Sequence, residues 1–169
     1  TLFAYEQFGI KPDIMCCAKG IGGGIPIAAI LTTTKIAQCM QLGSHGTTFG
    51  GNPLACAVAE QVMTLLTKKT LLNGVKKKEK IFLKELESIN DDYQCFSAIR
   101  SSGLWIGCKL NVTENFNLDT VMKACYEKGL MILKANDNTI RLAPSLIIED
   151  DLILKGLKIL RVVIQEQHP

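Results

Sequence analysis

Three stretches of this chain carry residue types whose pattern could do chemistry. The first is Cys16-Cys17-Ala18-Lys19-Gly20-Ile21-Gly22-Gly23-Gly24, where a single lysine stands among small and apolar residues. An ammonium buried without a partner is costly, so a lysine held in such surroundings becomes a neutral amine able to attack a carbonyl. The glycines beside it would let backbone approach a bulky planar ligand. On composition alone, a lysine snorkelling from the end of a strand is the simpler reading. The glycines match neither G-x-G-x-x-G nor the phosphate loop, in which the lysine follows the glycines. A nucleotide site is therefore disfavoured.

The second stretch is Ser44-His45-Gly46-Thr47-Thr48-Phe49-Gly50-Gly51-Asn52-Pro53, with two threonine hydroxyls among glycines just before a predicted helix start. Hydroxyls and free backbone N–H groups at such a place suit a phosphate, and an ordinary polar loop ending in a helix cap fits equally well. His45 is either a base or a local hydrogen-bonding residue. The third is Arg141 in Ile140-Arg141-Leu142-Ala143-Pro144, a cation in an apolar strand-like run. It should pair with a carboxylate, from the protein as a structural salt bridge or from a ligand. His168 is expected to be disordered.

The elements that must position these residues follow from periodicity and punctuation. The wholly apolar run 25–31 is predicted to be a buried strand, and a buried strand beside a glycine loop points to an α/β sheet. Asn52 and Pro53 predict a helix starting at Pro53, with Leu54, Val58, Val62 and Leu65 on one face. A second helix is expected after Asn73-Gly74, burying Val75, Phe82, Leu86 and Ile89 and leaving Lys76, Lys77 and Lys78 solvated. Residues 93–110 read as two strands joined by a tight turn around Ser101-Ser102-Gly103. Residues 118–128, closed by Gly129, read as a short helix, and 130–133 and 139–142 as strands. Glu149, Asp150 and Asp151 open a last helix carrying Ile153, Leu157, Leu160 and Ile164.

Composition excludes whole classes of function. Nineteen basic against 16 acidic residues leave +3, too weak and too dispersed for a nucleic-acid or acidic-membrane partner. The apolar run 25–31 is far short of the ~20 residues needed to span a bilayer. The seven cysteines are odd in number and contain no C-x-x-C pair, so neither a zinc site nor a complete disulfide framework is expected. Reduced, mostly buried thiols in a cytoplasmic protein are the expectation.

Together the stretches are more specific than any one alone. Leu2-Phe3-Ala4-Tyr5-Glu6, Lys11-Pro12-Asp13-Ile14, Ala18-Lys19-Gly20-Ile21-Gly22-Gly23-Gly24-Ile25-Pro26-Ile27, His45 through Ala57, and Arg141-Leu142-Ala143-Pro144-Ser145-Leu146 occur in an order and spacing that resembles the class III pyridoxal-phosphate aminotransferases. The resemblance runs from the first residue to the last.

It implies that Lys19 is the catalytic lysine and forms the Schiff base with the cofactor, pyridoxal 5'-phosphate. It implies that Thr48 reaches the cofactor phosphate across a homodimer interface, that Thr47 lines the substrate pocket, and that Arg141 lies near the substrate. The implied fold is α/β, PLP-dependent transferase fold type I. Residues 1–66 would be the C-terminal part of the large cofactor-binding domain, 67–91 a connecting helical segment and 92–169 the small α+β domain.

The implied reaction moves the terminal amino group of N-acetylornithine, or of N-succinyl-diaminopimelate, to 2-oxoglutarate in arginine or lysine biosynthesis. Ornithine and 4-aminobutyrate are the rival donors. Members of the family are well over twice as long, so the resemblance also implies a C-terminal part that is inactive alone and exposes sheet edges and apolar faces. A truncated, non-catalytic remnant is the competing expectation.

Overall fold

The computed structural model describes residues 1–167, and the expectation for His168 lies outside them. The chain divides into two compact units, Thr1–Leu72 and the residues from Asn73 onward. No helix among the described residues is long and apolar enough to cross a membrane.

The first unit is built from short pieces. A 3-10 turn at Ala4–Phe8 precedes strand β1 (Ile14–Cys17), a second 3-10 turn occupies Lys19–Gly22, and β2 (Ala29–Thr32), α1 (Thr34–Ala37) and α2 (Pro53–Leu66) follow. β1 and β2 pair antiparallel, Ile14 opposite Thr32 and Cys17 opposite Ala29. The run 25–31 is thus a strand only from Ala29, and that strand is exposed rather than buried, with Ile30 60% accessible. Gly23 and Gly24 at φ +56° and +106° turn the chain before it, and Pro26 has no N–H to give a ladder. Burial depends on what lies opposite, and within this unit the ribbon is covered only in part, with Met15, Cys17 and Thr32 half-buried.

Helix α2 begins where expected. Asn52 Oδ1 accepts the Ala55 N–H at 2.9 Å, and Pro53 occupies the first turn. Its expected four-residue stripe is divided: Val58 and Val62 are half-buried beside Gly23, while Leu54 and Leu65 are exposed. Phe8, Leu42 and Phe49 are exposed in the same unit.

The second unit has a continuous core. α3 runs Lys69–Tyr93 and passes straight through Asn73-Gly74 instead of starting after it. A glycine inside a helix costs about 1 kcal/mol, and the stripe beyond it, with Phe82, Leu86 and Ile89 buried, outweighs that. Strands β3 (Phe96–Ser102), β4 (Trp105–Leu110), β5 (Leu133–Ala135) and β6 (Thr139–Leu142) form an antiparallel sheet in the order β3-β4-β6-β5. Gly103 at φ +60° makes the β3–β4 turn and lies against Val75, whose Cγ1 would be 3.0 Å from a Cβ there. Gly129 at φ +83° closes α4 (Leu118–Glu127), and α5 spans Asp150–Gln167. The strand expected from 130 begins only at Leu133, although Ile132 is buried.

The period of two along β4 and β6 divides the sheet's faces. Ile106, Cys108, Leu110, Ile140 and Leu142 point into a core shared with Val121 and Cys125 of α4 and with Ile153, Leu157, Leu160 and Ile164 of α5. Trp105, Gly107, Lys109, Thr139 and Arg141 alternate with them and take the opposite face. Lys77 donates to Asp150 at 2.7 Å and holds that exposed carboxyl below its ordinary range. Arg161 bonds to Asp92 and to Ser88, fastening α5 to the end of α3.

Burial pushes the Cys95 and Cys125 thiols up to about 11, and burial followed by the neighbouring Cys95 pushes Cys108 up to about 12. Each folded value lies above the ordinary 9.0, so the neutral thiol is favoured in the fold. The stability these groups contribute is whole below about pH 9 and declines as pH rises toward the folded values. Thiol labelling of the native chain at about pH 8 should modify Cys16, Cys39 and Cys56 readily and Cys17 more slowly. Cys95, Cys108 and Cys125 should stay protected until global unfolding; labelling of any of them before that transition would contradict the core described above.

Candidate active site

The approach to Lys19 is governed by backbone geometry. Ala18 is extended at φ −154°, and Lys19 then takes φ +56°, a left-handed conformation that costs a non-glycine residue about 1–2 kcal/mol. The turn that follows is closed by Gly23 N–H to Gly20 O at 3.2 Å and Ile25 N–H to Gly22 O at 2.9 Å. Strain of this kind persists only where the surroundings hold it.

The glycines have two separate uses. Gly22 is buried, and a Cβ on it would come 2.8 Å from Ile27 Cγ2; one on Gly23 would come 3.0 Å from Val62 Cγ2 and 3.6 Å from Val58 Cγ1. These two let the turn dock on Ile27 and on α2. Gly20 and Gly24 meet nothing within 4 Å, so they leave room on either side of the turn.

Lys19 itself is exposed, and the burial expected from its apolar neighbours is not present. Those neighbours are close in sequence but too small, and too much in the turn's own backbone, to cover a long side chain. Among the described residues Lys19 enters no ion pair.

Thr47 and Thr48 lie in the same unit, in the loop that leads into α2. Gly50 N–H bonds to Thr47 O at 3.2 Å, and Asn52 closes the loop through N–H and Nδ2 bonds to Phe49 O at 3.2 and 2.8 Å. A Cβ on Gly50 would sit 2.8 Å from Thr47 Oγ1 and would displace that hydroxyl. Both threonines are exposed, and neither hydroxyl has a hydrogen-bond partner among the described residues. Ser44 is engaged locally with Gln41 O, whereas His45 makes no such bond among the described residues.

Arg141 belongs to the second unit. On β6 it faces Gly107 of β4 and Leu133 of β5, and its guanidinium lies over the Trp105 ring, 5.7 Å from the centroid. None of the ion pairs among the described residues includes it, so the structural salt bridge is not formed. Its Nε is buried without a hydrogen-bond partner. It is also the single charged residue lining an apolar cavity of about 220 Å³ that includes Phe82, Ile132, Pro144 and Leu157. Trp105 was not among the residues singled out from sequence; its signal was an aromatic two positions before a glycine in an alternating strand.

Lys19 thus offers an exposed amine, and Thr47 and Thr48 offer exposed hydroxyls without a hydrogen-bond partner among the described residues. The family model for class-III aminotransferases matches residues 1–164. The succinylornithine transaminase of Yersinia pseudotuberculosis serotype O:1b is 47% identical over 165 residues, which is 98% of this chain and 40% of that protein. The acetylornithine/succinyldiaminopimelate aminotransferase of Yersinia pestis is 46% identical over 156 residues, 92% of this chain and 38% of that protein. The crystal structure of N-acetylornithine aminotransferase from Stenotrophomonas maltophilia K279a matches with a TM-score of 0.84 at 33% identity, over 98% of this chain and 43% of its own. The chain thus spans about 40% of the length of the curated relatives it matches.

The division among the glycines is testable. Gly23→Ala should lower the urea midpoint by the equivalent of about 1–2 kcal/mol, because it adds a left-handed penalty to a tight contact. Gly20→Ala should stay within about 0.5 kcal/mol of the parent. Equal costs at the two positions would contradict the account of how the turn docks.

Proposed function

The chain belongs to the class-III aminotransferases, a pyridoxal-phosphate-dependent family, and from that premise we propose that it acts in transferring the terminal amino group of an N-acylated donor to 2-oxoglutarate. Its relatives are acetylornithine and succinylornithine aminotransferases, which supports a donor of the N-acetylornithine or N-succinyl-diaminopimelate kind in arginine or lysine biosynthesis. The observation that carries the reading is Lys19: a primary amine on a left-handed residue, with open space at Gly20 and Gly24.

Pyridoxal 5'-phosphate, when bound, supplies an aldehyde and a ring that accepts electrons from the substrate carbon. Lys19 Nζ is the group that would hold it covalently. When not so engaged, the same Nζ would take and return a proton as general acid and base. The strained backbone fixes the root of this side chain while its four-carbon stem stays able to swing.

Thr48 would hold the phosphate through its unbonded hydroxyl, from the second subunit of a homodimer, and Thr47 would line the donor pocket. Arg141 would receive a substrate carboxylate, consistent with a guanidinium that has no carboxylate of its own. In domain terms, residues 1–66 belong to the cofactor-binding domain, 67–91 to a connecting helix and 92–169 to the small domain.

Two substitutions test the reading in the holoenzyme. Lys19→Ala should abolish the bound-cofactor absorption band and the half-reaction with the donor; persistence of both would remove Lys19 from its role. Thr48→Ala should weaken cofactor retention by roughly ten- to a hundredfold, as loss of a hydrogen bond to a charged group worth ~1.5–3 kcal/mol requires. Unchanged retention would refute the phosphate contact. Activity with N-acetylornithine, N-succinyl-diaminopimelate, ornithine and 4-aminobutyrate in parallel should favour the N-acylated donors.

A further inference from the structure

Trp105 is the one tryptophan of the sequence and is 65% exposed on the sheet's open face. It stands two residues before Gly107, which is directly opposite Arg141, so Trp105 is Arg141's diagonal neighbour across the β4–β6 ladder. Such neighbours lie within reach of an aromatic and a long side chain. Gly107 carries no side chain, and a Cβ there would come 3.3 Å from Thr139 Cγ2. The Arg141 guanidinium can therefore lean over β4 to meet the indole, at 5.7 Å from its centroid and within cation–π range.

A cation–π contact of this kind can be made through the flat face of a guanidinium, which leaves its N–H edges for other partners, and the Arg141 side chain makes no hydrogen bond or ion pair among the described residues. A carboxylate uses the other part: it binds a guanidinium edge-on through paired N–H groups. The two interactions are geometrically compatible, and the buried Nε without an acceptor shows one edge donor still unmet. Arg100 lies in the same row on β3, across Gly107, and like Arg141 has no ion pair among the described residues. The face is therefore cationic, with its aromatic ring beside Arg141.

We propose that Trp105 is a positioning residue: its indole fixes the plane of the Arg141 guanidinium so that an N–H edge is presented to a substrate carboxylate. The inference rests on the reading of Arg141 as the carboxylate receptor and adds the residue that orients it. Trp105 governs binding of the acidic substrate and takes no part in bond making.

Trp105 is the single tryptophan of these 169 residues, and the difference in emission between the parent and Trp105→Phe isolates its signal. Titration with glutarate, a dicarboxylate that cannot be transaminated, should give a saturable change in emission, and sodium chloride at equal ionic strength should not. The change should vanish in Arg141→Met and survive in Arg100→Met. A flat titration, an equal response to chloride, or a response that follows Arg100 would overturn the proposal.

In the holoenzyme, Trp105→Ala should raise KM for 2-oxoglutarate roughly three- to tenfold, the effect of losing one cation–π contact, with kcat within about twofold. Trp105→Phe should recover most of the difference. If Trp105→Ala leaves KM unchanged while Arg141→Met raises it, the positioning role falls and the receptor role stands. If Arg141→Met also leaves KM unchanged, the receptor role itself falls.

Discussion

The first unit depends on a close approach of backbone to helix. Gly23 lies against Val58 and Val62 of α2 so tightly that no side chain fits between them, and Gly22 does the same against Ile27. Those two contacts hold the turn that carries Lys19 at φ +56°. Without them the left-handed lysine would relax toward an ordinary conformation and lose a fixed direction. α2 is in turn started by Asn52 and Pro53, which end the loop containing Thr47 and Thr48. One helix thus supports the turn bearing the amine and sets the end of the loop bearing the hydroxyls.

The second unit places Arg141 by a different route. Alternation along β4 and β6 sends every second residue into a core roofed by α3, α4 and α5, and the residues between them become the open face. Arg141 lies on that face because Ile140 and Leu142 are buried, and Trp105 and Gly107 lie there because Ile106 and Cys108 are buried. The strength of the core therefore fixes the register of the exposed face, since a slip of one residue would bury Arg141.

What was legible in the sequence follows the same physics. The core stripe of α5, the strand pair around Gly103 and the Asn52 cap were readable because period, turn chemistry and capping are local signals. Gly74 was misleading: its propensity argues for a boundary, but the stripe of Phe82, Leu86 and Ile89 carries the helix past it. The run 25–31 misled in another way, because burial depends on what lies opposite and periodicity cannot supply that. Among the candidate residues, Lys19, Thr47 and Thr48 in the first unit and Arg141 in the second could be singled out by residue type. The division of labour among Gly20, Gly22, Gly23 and Gly24 could not, since it is set by contacts with Ile27 and α2. The partnership of Arg141 with Trp105 depends on a cross-strand register that no single strand encodes.

The central claim is that the strained, glycine-braced Lys19 is the residue that carries the cofactor. Borohydride reduction of the holoenzyme, followed by proteolysis and mass spectrometry, fixes the cofactor to whichever amine held it. The account predicts a phosphopyridoxyl group on Lys19 Nζ, in the peptide that contains Cys16-Cys17-Ala18-Lys19-Gly20. A label on any other lysine, with Lys19 unmodified, would contradict it.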